Sequence, residues 1–188
     1  LIQRISSATK KGSKVYWICP LIEESENLDL NAVMETYEDL SMYFGQDKVG
    51  CLHGKLSSIK KQEQVQAFKD SKTSILVSTT VVEVGVDIPD ADIMVIENAE
   101  RFGLAQLHQL RGRIGRGTKE SFCILLHKDK IQDVSSQRLQ VLVDSQDGFK
   151  IAEEDLVIRG PGEIMGAQQT GIVPMKYTNL VRDSQYLM

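Results

Sequence analysis

Ser74–Ser78 reads SILVS, an unbroken apolar run between two serines, and its reading decides the fold class. A strand with one face in water alternates apolar and polar residues, whereas a strand covered on both faces does not. Four more runs have the same character: Val15–Cys19 (VYWIC), Lys48–Leu52 (KVGCL), Asp92–Ile96 (DIMVI) and Ser121–Leu126 (SFCILL). Helical patterns lie between them. Asn27–Phe44 spaces Leu30, Val33, Tyr37, Leu40 and Phe44 three or four apart, Ser57–Asp70 opens on a serine and carries a weaker face of Val65 and Phe68, and Leu104–Leu110 is short. Strands joined through helices form a parallel sheet covered on both sides. Residues 1–130 are therefore expected to fold as a three-layer α/β/α sandwich with a mostly parallel sheet.

Beyond Lys130 the pattern changes. Ser135–Ser145 reads as an amphipathic helix with Leu139, Leu142 and Val143 inward, Asp147-Gly148 as a turn, and Ile151–Ile158 as a second helix ended by Gly160, Pro161 and Gly162. Residues 131–188 are thus expected to be a helical-hairpin and loop appendage packed on the sandwich, not a second core.

At 188 residues the chain is about one domain, and 41% hydrophobic with 26% charged residues is an ordinary globular composition. No apolar run approaches the roughly 20 residues needed to cross a bilayer, and no charged-then-apolar leader opens the chain. Cys19, Cys51 and Cys123 form no CxxC pair and no Cys/His zinc spacing, so they read as reduced core thiols. A cytoplasmic location follows as the expectation. His53, His108 and His127 are scattered, which leaves no candidate metal site. A net charge of −4 argues against non-specific nucleic-acid binding by the whole surface. A local basic site remains open, because Arg101–Lys119 holds five cations and no anion.

The densest part of that stretch is Gln106–Gly117, QLHQLRGRIGRG, with Arg111, Arg113 and Arg116 interleaved with three glycines. A guanidinium can donate two hydrogen bonds to one phosphate, and glycine lets a ligand approach the backbone. A nucleotide, a nucleic-acid backbone or a plain solvated loop all suit such a run. Arg113 and Arg116 are three apart and would share one face if helical. A GxxxxGK[ST] cradle is missing, since Thr118 rather than lysine follows Gly117, and no acidic Mg²⁺ pair follows a strand. The arginines would then serve a triphosphate bound elsewhere.

Ligands of open α/β sheets lie beyond the carboxyl ends of the strands. The Thr79–Asp87 loop and the His53-Gly54 turn both fall there. Thr79, Thr80 and the His53-Gly54 turn suit a nucleic-acid phosphate; the turn is equally readable as a turn alone. Asp87 reads either as a turn carboxylate or as an acceptor for ribose hydroxyls.

Four blocks together resemble the C-terminal motor domain of superfamily 2 helicases: VYWICPLIEESENLD, VGCLHGKLSSIKKQEQVQAFKD, ILVSTTVVEVGVDIPDADIMVIENAERFGLAQ and QLHQLRGRIGRG. The tail DGFKIAEEDLVIRGPGEIMGAQQTG resembles the translocation motif shared by the RecG and Mfd families, and GIVPMKYTNLVRDSQYL favours the RecG type. The resemblance implies a RecA-like fold, with Arg113 and Arg116 meeting the γ-phosphate of ATP and Gln109, Gly85 and Asp87 near the nucleotide and the cleft. It implies nucleic-acid contacts at His53, Gly54, Thr79 and Thr80, and a coupling hairpin and loop over 149–171 with Arg159 and Gln169 as polar contacts. Gln168 and Thr170 depart from the RecG pattern of arginine and serine at those places. ATP and Mg²⁺ are implied as cofactors, held mainly by a first motor domain that this chain lacks. The implied partners are branched duplex DNA and the N-terminal motor and wedge domains of the same protein, with no membrane. The implied activity is an ATP-dependent DNA helicase or translocase acting on forks and Holliday junctions, the 188-residue piece folding alone but inactive alone. An Mfd-type translocase and a non-catalytic nucleic-acid-binding module are the rival expectations.

Overall fold

The structure, a computed structural model, describes residues 1–20, 26–79, 91–115 and 120–159, with side chains for all of these but 26–29 and 159. Five strands form one sheet: β1 (Val15–Cys19), β2 (Val49–Leu52), β3 (Ile75–Thr79), β4 (Ile93–Ile96) and β5 (Phe122–Leu125). Their order is β2-β3-β1-β4-β5 and every pairing is parallel. β1, β3 and β4 are buried at every residue, which is why they read as unbroken apolar runs.

Helices cover both faces. α1 (Ile2–Lys10) and α2 (Glu26–Phe44) lie on one side, where Ile5, Val33 and Leu40 join Val15, Trp17, Ile75, Val77 and Val95. α3 (Ser58–Lys69), α4 (Leu104–Arg111), α5 (Asp133–Asp144) and α6 (Gly148–Arg159) cover the other. There Phe68, Leu104, Leu107, Leu139, Leu142 and Ile151 pack on Tyr16, Ile18, Leu76, Met94 and Ile96. This is the RecA-like α/β/α arrangement, and residues from α5 and α6 share the cluster that covers the sheet.

Three local expectations are corrected. α1 was not anticipated: it has few apolar residues, and only Ile5 is buried. Val143 is 70% exposed rather than inward, because Leu139 and Leu142 already fill the face of α5 that meets the core. Gly148 begins α6 instead of completing a turn, with Asp147 Oδ1 accepting from the Phe149 N–H at 2.9 Å. The serine start of α3 is present: Ser57 caps it, Oγ accepting from the Lys60 N–H at 3.4 Å.

Candidate nucleotide and nucleic-acid site

The Arg/Gly segment follows α4. A short 3₁₀ turn, Ala99–Arg101, leads from β4 to Gly103, whose N–H donates to Gln106 Oε1 at 3.0 Å as α4 starts. Leu104 and Leu107 are fully buried and fix the helix on the sheet, which leaves Gln109 exposed. α4 stops at Arg111. Arg113 therefore stands two residues beyond the helix, so a shared helical face with Arg116 does not carry through this segment. Gly115 then adopts φ +76°, a backbone conformation that favours glycine, and a Cβ there would displace the Ser121 hydroxyl.

The arginines of this segment are not equivalent. Arg111 is committed inside the protein: Nη1 donates to the carbonyl oxygens of Leu142 at 2.6 Å and Ser145 at 2.7 Å, and Nη2 lies 3.2 Å from His108 Nδ1. Guanidinium only donates, so Nδ1 accepts. Those carbonyls end α5, where helix carbonyls lack intrahelical partners. Arg113 is half-buried and makes no side-chain hydrogen bond or ion pair with another described residue. Its charge acts on Tyr16. Burial raises the Tyr16 phenol above its usual range, and the Ser78 side chain and Arg113 pull it back. Arg113 thus sits near the face of β1 and β3 and acts there as a cation. Sequence reading gave Arg113 and Arg116 the phosphate role but assigned none to Arg111, and it did not single out His108, Tyr16 or Ser78; contacts 31 and 34 residues away in sequence leave no local signal.

At the carboxyl ends of β2 and β3 the register runs to Leu52↔Ser78, and the next residues are His53 and Thr79. Thr79 is 3% exposed, and among the described residues neither its Oγ1 nor His53 Nδ1 has a hydrogen-bond partner. Natural proteins seldom leave such atoms unmatched. The His53 imidazole is held below its ordinary range by desolvation, then by Lys61 and Lys55. It is therefore a neutral donor and acceptor near pH 7. Gly54 is exposed beside it, with nothing within 4 Å of where a Cβ would stand. Thr79 closes β3 instead of following it.

Glu97, directly after β4, accepts from Trp17 Nε1 at 2.7 Å and from Thr36 Oγ1 at 3.4 Å, tying α2 to the sheet. The thiols are free, and burial raises all of them, Cys51 and Cys123 to about 11. Among the described residues no group of His, Cys, Asp and Glu could hold a metal ion, and no helix is long and apolar enough to cross a membrane. Arg116, Gly85, Asp87, Thr80 and Gln169 lie outside the described residues, as does the side chain of Arg159 at the end of α6.

Comparison with known proteins gives two family matches: the helicase conserved C-terminal domain over residues 1–118, and domain 3, C-terminal, of the ATP-dependent DNA helicase RecG over residues 145–188. The ATP-dependent DNA helicase RecG of Pasteurella multocida is 50% identical over 188 residues, covering 100% of this chain and 27% of that protein. That of Escherichia coli (strain K12) is 50% identical over 184 residues, covering 97% and 27%. The chain thus spans about a quarter of the length of the curated relatives it matches. A solved structure of RecG bound to a three-way DNA junction superimposes with a TM-score of 0.70 at 42% identity, over 99% of this chain and 24% of that one. The C-terminal domain of the DEAD-box protein Dbp5, at 17% identity and a TM-score of 0.51 over 85% of this chain and 91% of its own, shares the fold alone. With the family model covering more than half of its length and the RecG-specific model its end, this chain belongs to the helicase C-terminal-domain family, in its RecG type.

Proposed function

We propose that the chain is the second motor domain of an ATP-dependent DNA helicase or translocase that acts on branched DNA, such as replication forks and Holliday junctions. The observation that carries this reading is Arg113, half-buried, without an anion partner among the described residues, and two residues beyond a helix fixed by two fully buried leucines. Arg113 and Arg116 would donate to the γ-phosphate of ATP and stabilise charge developing there as water attacks. Mg²⁺ would supply charge neutralisation at the phosphates, and ATP would be held mainly by a first motor domain of the same protein. Gln109, Gly85 and Asp87 would face the nucleotide and the cleft.

His53, Gly54, Thr79 and Thr80 would follow a nucleic-acid strand, and the two unmatched polar atoms at the strand ends support this part. A phosphate there would accept from the Thr79 hydroxyl, while a neutral His53 adds no repulsion to the nearby lysines. Residues 1–130 form the motor core in this reading, and 131–188 the segment that acts on the duplex, with Arg159 and Gln169 as DNA contacts. The cytoplasm, where DNA and ATP meet, is the corresponding location. Arg113→Ala in the full-length protein should lower DNA-stimulated ATPase about 10³–10⁵-fold while leaving DNA binding largely intact. An unchanged ATPase would overturn the assignment.

A further inference from the structure

The sheet face beneath α3 to α6 carries one anomaly. Its buried cluster, among the described residues, is apolar throughout except for Tyr16, which is 5% exposed. A buried phenol is retained where its hydroxyl has a use. Tyr16 stands opposite Leu76, and Ser78 lies two residues further along β3, on the same face. A diagonal neighbour of this kind is within reach of an aromatic side chain. The Ser78 side chain acts on the Tyr16 hydroxyl. Ser78 Oγ donates its own proton to the Thr79 carbonyl at 2.8 Å, so toward the phenol it can only accept. With the phenol proton committed to Ser78, its oxygen is left to accept from any other donor. Arg113 reaches the same hydroxyl from beyond the end of α4. Leu110 and Ile114, on either side of it, pack against the cluster that contains Tyr16, and the guanidinium charge is felt at the phenol.

We infer that Tyr16 is a positioning residue for Arg113: its hydroxyl oxygen, fixed by Ser78, sets the place from which the guanidinium meets the γ-phosphate. The inference rests on the motor reading above. A guanidinium only donates, in a planar fork, so one neutral oxygen can orient it and leave the other N–H groups for phosphate. A carboxylate in that place would compete with the phosphate, because hydrogen bonds between ionised groups are roughly twice as strong as neutral ones. Phenylalanine would fill the same space in the core without orienting anything.

The test uses the full-length protein and a double-mutant cycle. Tyr16→Phe should lower kcat of the DNA-stimulated ATPase about 5-fold and leave KM for ATP within about 2-fold, because the arginine acts on charge that develops during the reaction. Affinity for ADP with aluminium fluoride, a mimic of the phosphoryl group in transfer, should fall about 5-fold as well. In an Arg113→Ala background the same Tyr16→Phe change should alter that affinity by less than about 2-fold. Ser78→Ala, which frees the hydroxyl to rotate, should act in the same direction by about 2-fold, and it decides the matter if the tyrosine variant does not fold. Unchanged kcat in a folded Tyr16→Phe variant overturns the inference. So does an equal loss of affinity with and without Arg113, which would reduce Tyr16 to packing. Failure of the motor reading shows differently, as a natural protein without DNA-stimulated ATPase or an Arg113→Ala variant that retains it.

Discussion

The last turn of α4 and the turn just beyond it differ in what they do with the same side chain. Arg111 spends its hydrogen bonds on two carbonyls and a histidine within the domain, whereas Arg113, two residues later, has no described partner. Nothing in side-chain chemistry separates them. Their neighbours do: helix α5 ends beside Arg111 with carbonyls that need donors, and the chain leaves the helix before Arg113. One arginine therefore completes the fold, and the other is without a partner among the described residues.

The largest expected contrast is catalytic. Substituting Arg113 should cost about 10³–10⁵ in DNA-stimulated ATPase, and substituting Arg111 about 2-fold or less. Equal losses would erase the distinction. A second contrast concerns the platform both arginines stand on. Leu107→Ala should lower stability by about 2–5 kcal/mol, because Leu107 is fully buried and its removal leaves a cavity. A loss under about 1 kcal/mol in urea unfolding would mean that α4 is not anchored as described. The third contrast inverts the first. Arg111→Ala should destabilise by about 1–3 kcal/mol by stranding two carbonyls, whereas Arg113→Ala should stay within about 0.5 kcal/mol. Chemical unfolding of the two variants reads this directly.

The unmatched hydroxyl at the end of β3 gives a smaller test. Thr79→Val keeps the shape and removes a buried group without a partner, so stability should hold or rise by about 1 kcal/mol, with weaker DNA binding. A loss of stability above about 1 kcal/mol would show that the hydroxyl is used inside the fold. The smallest effect falls on Cys123. Burial holds its thiol at about 11, and the Arg111 charge opposes that rise. Loss of the charge favours the protonated thiol, so Arg111→Ala should slow alkylation of Cys123 at pH 9 by about 2-fold or more. Faster alkylation would place Arg111 away from this strand.

Much of this architecture could be read from the chain. Four of the five strands lie inside the apolar runs that announced them and β3 passes its run by Thr79 alone, because strands covered on both faces are largely apolar. α1 was missed although Ile2, Ile5 and Ala8 recur every three residues on its core side, because nine residues with only two large apolar side chains make a short pattern. The candidate site was readable in part for a similar reason. The Arg/Gly segment and the residues after β2 and β3 are local patterns, and local patterns survive in sequence. The different roles of Arg111 and Arg113 are not local, since they depend on where residues 142 and 145 come to lie. Val143 illustrates the limit within one helix: its spacing alone does not reveal that Leu139 and Leu142 have already taken the core-facing positions.

The strand order has a consequence for synthesis of the protein. β1 is the first strand of this sheet to be made, yet it occupies the middle of the sheet and pairs with β3 and β4. Its five fully covered residues must wait for about sixty more before the first neighbour arrives, and longer for the second. A nascent or truncated chain that ends before Ile93 exposes one bare flank of VYWIC, and such pieces are expected to require chaperones or to aggregate.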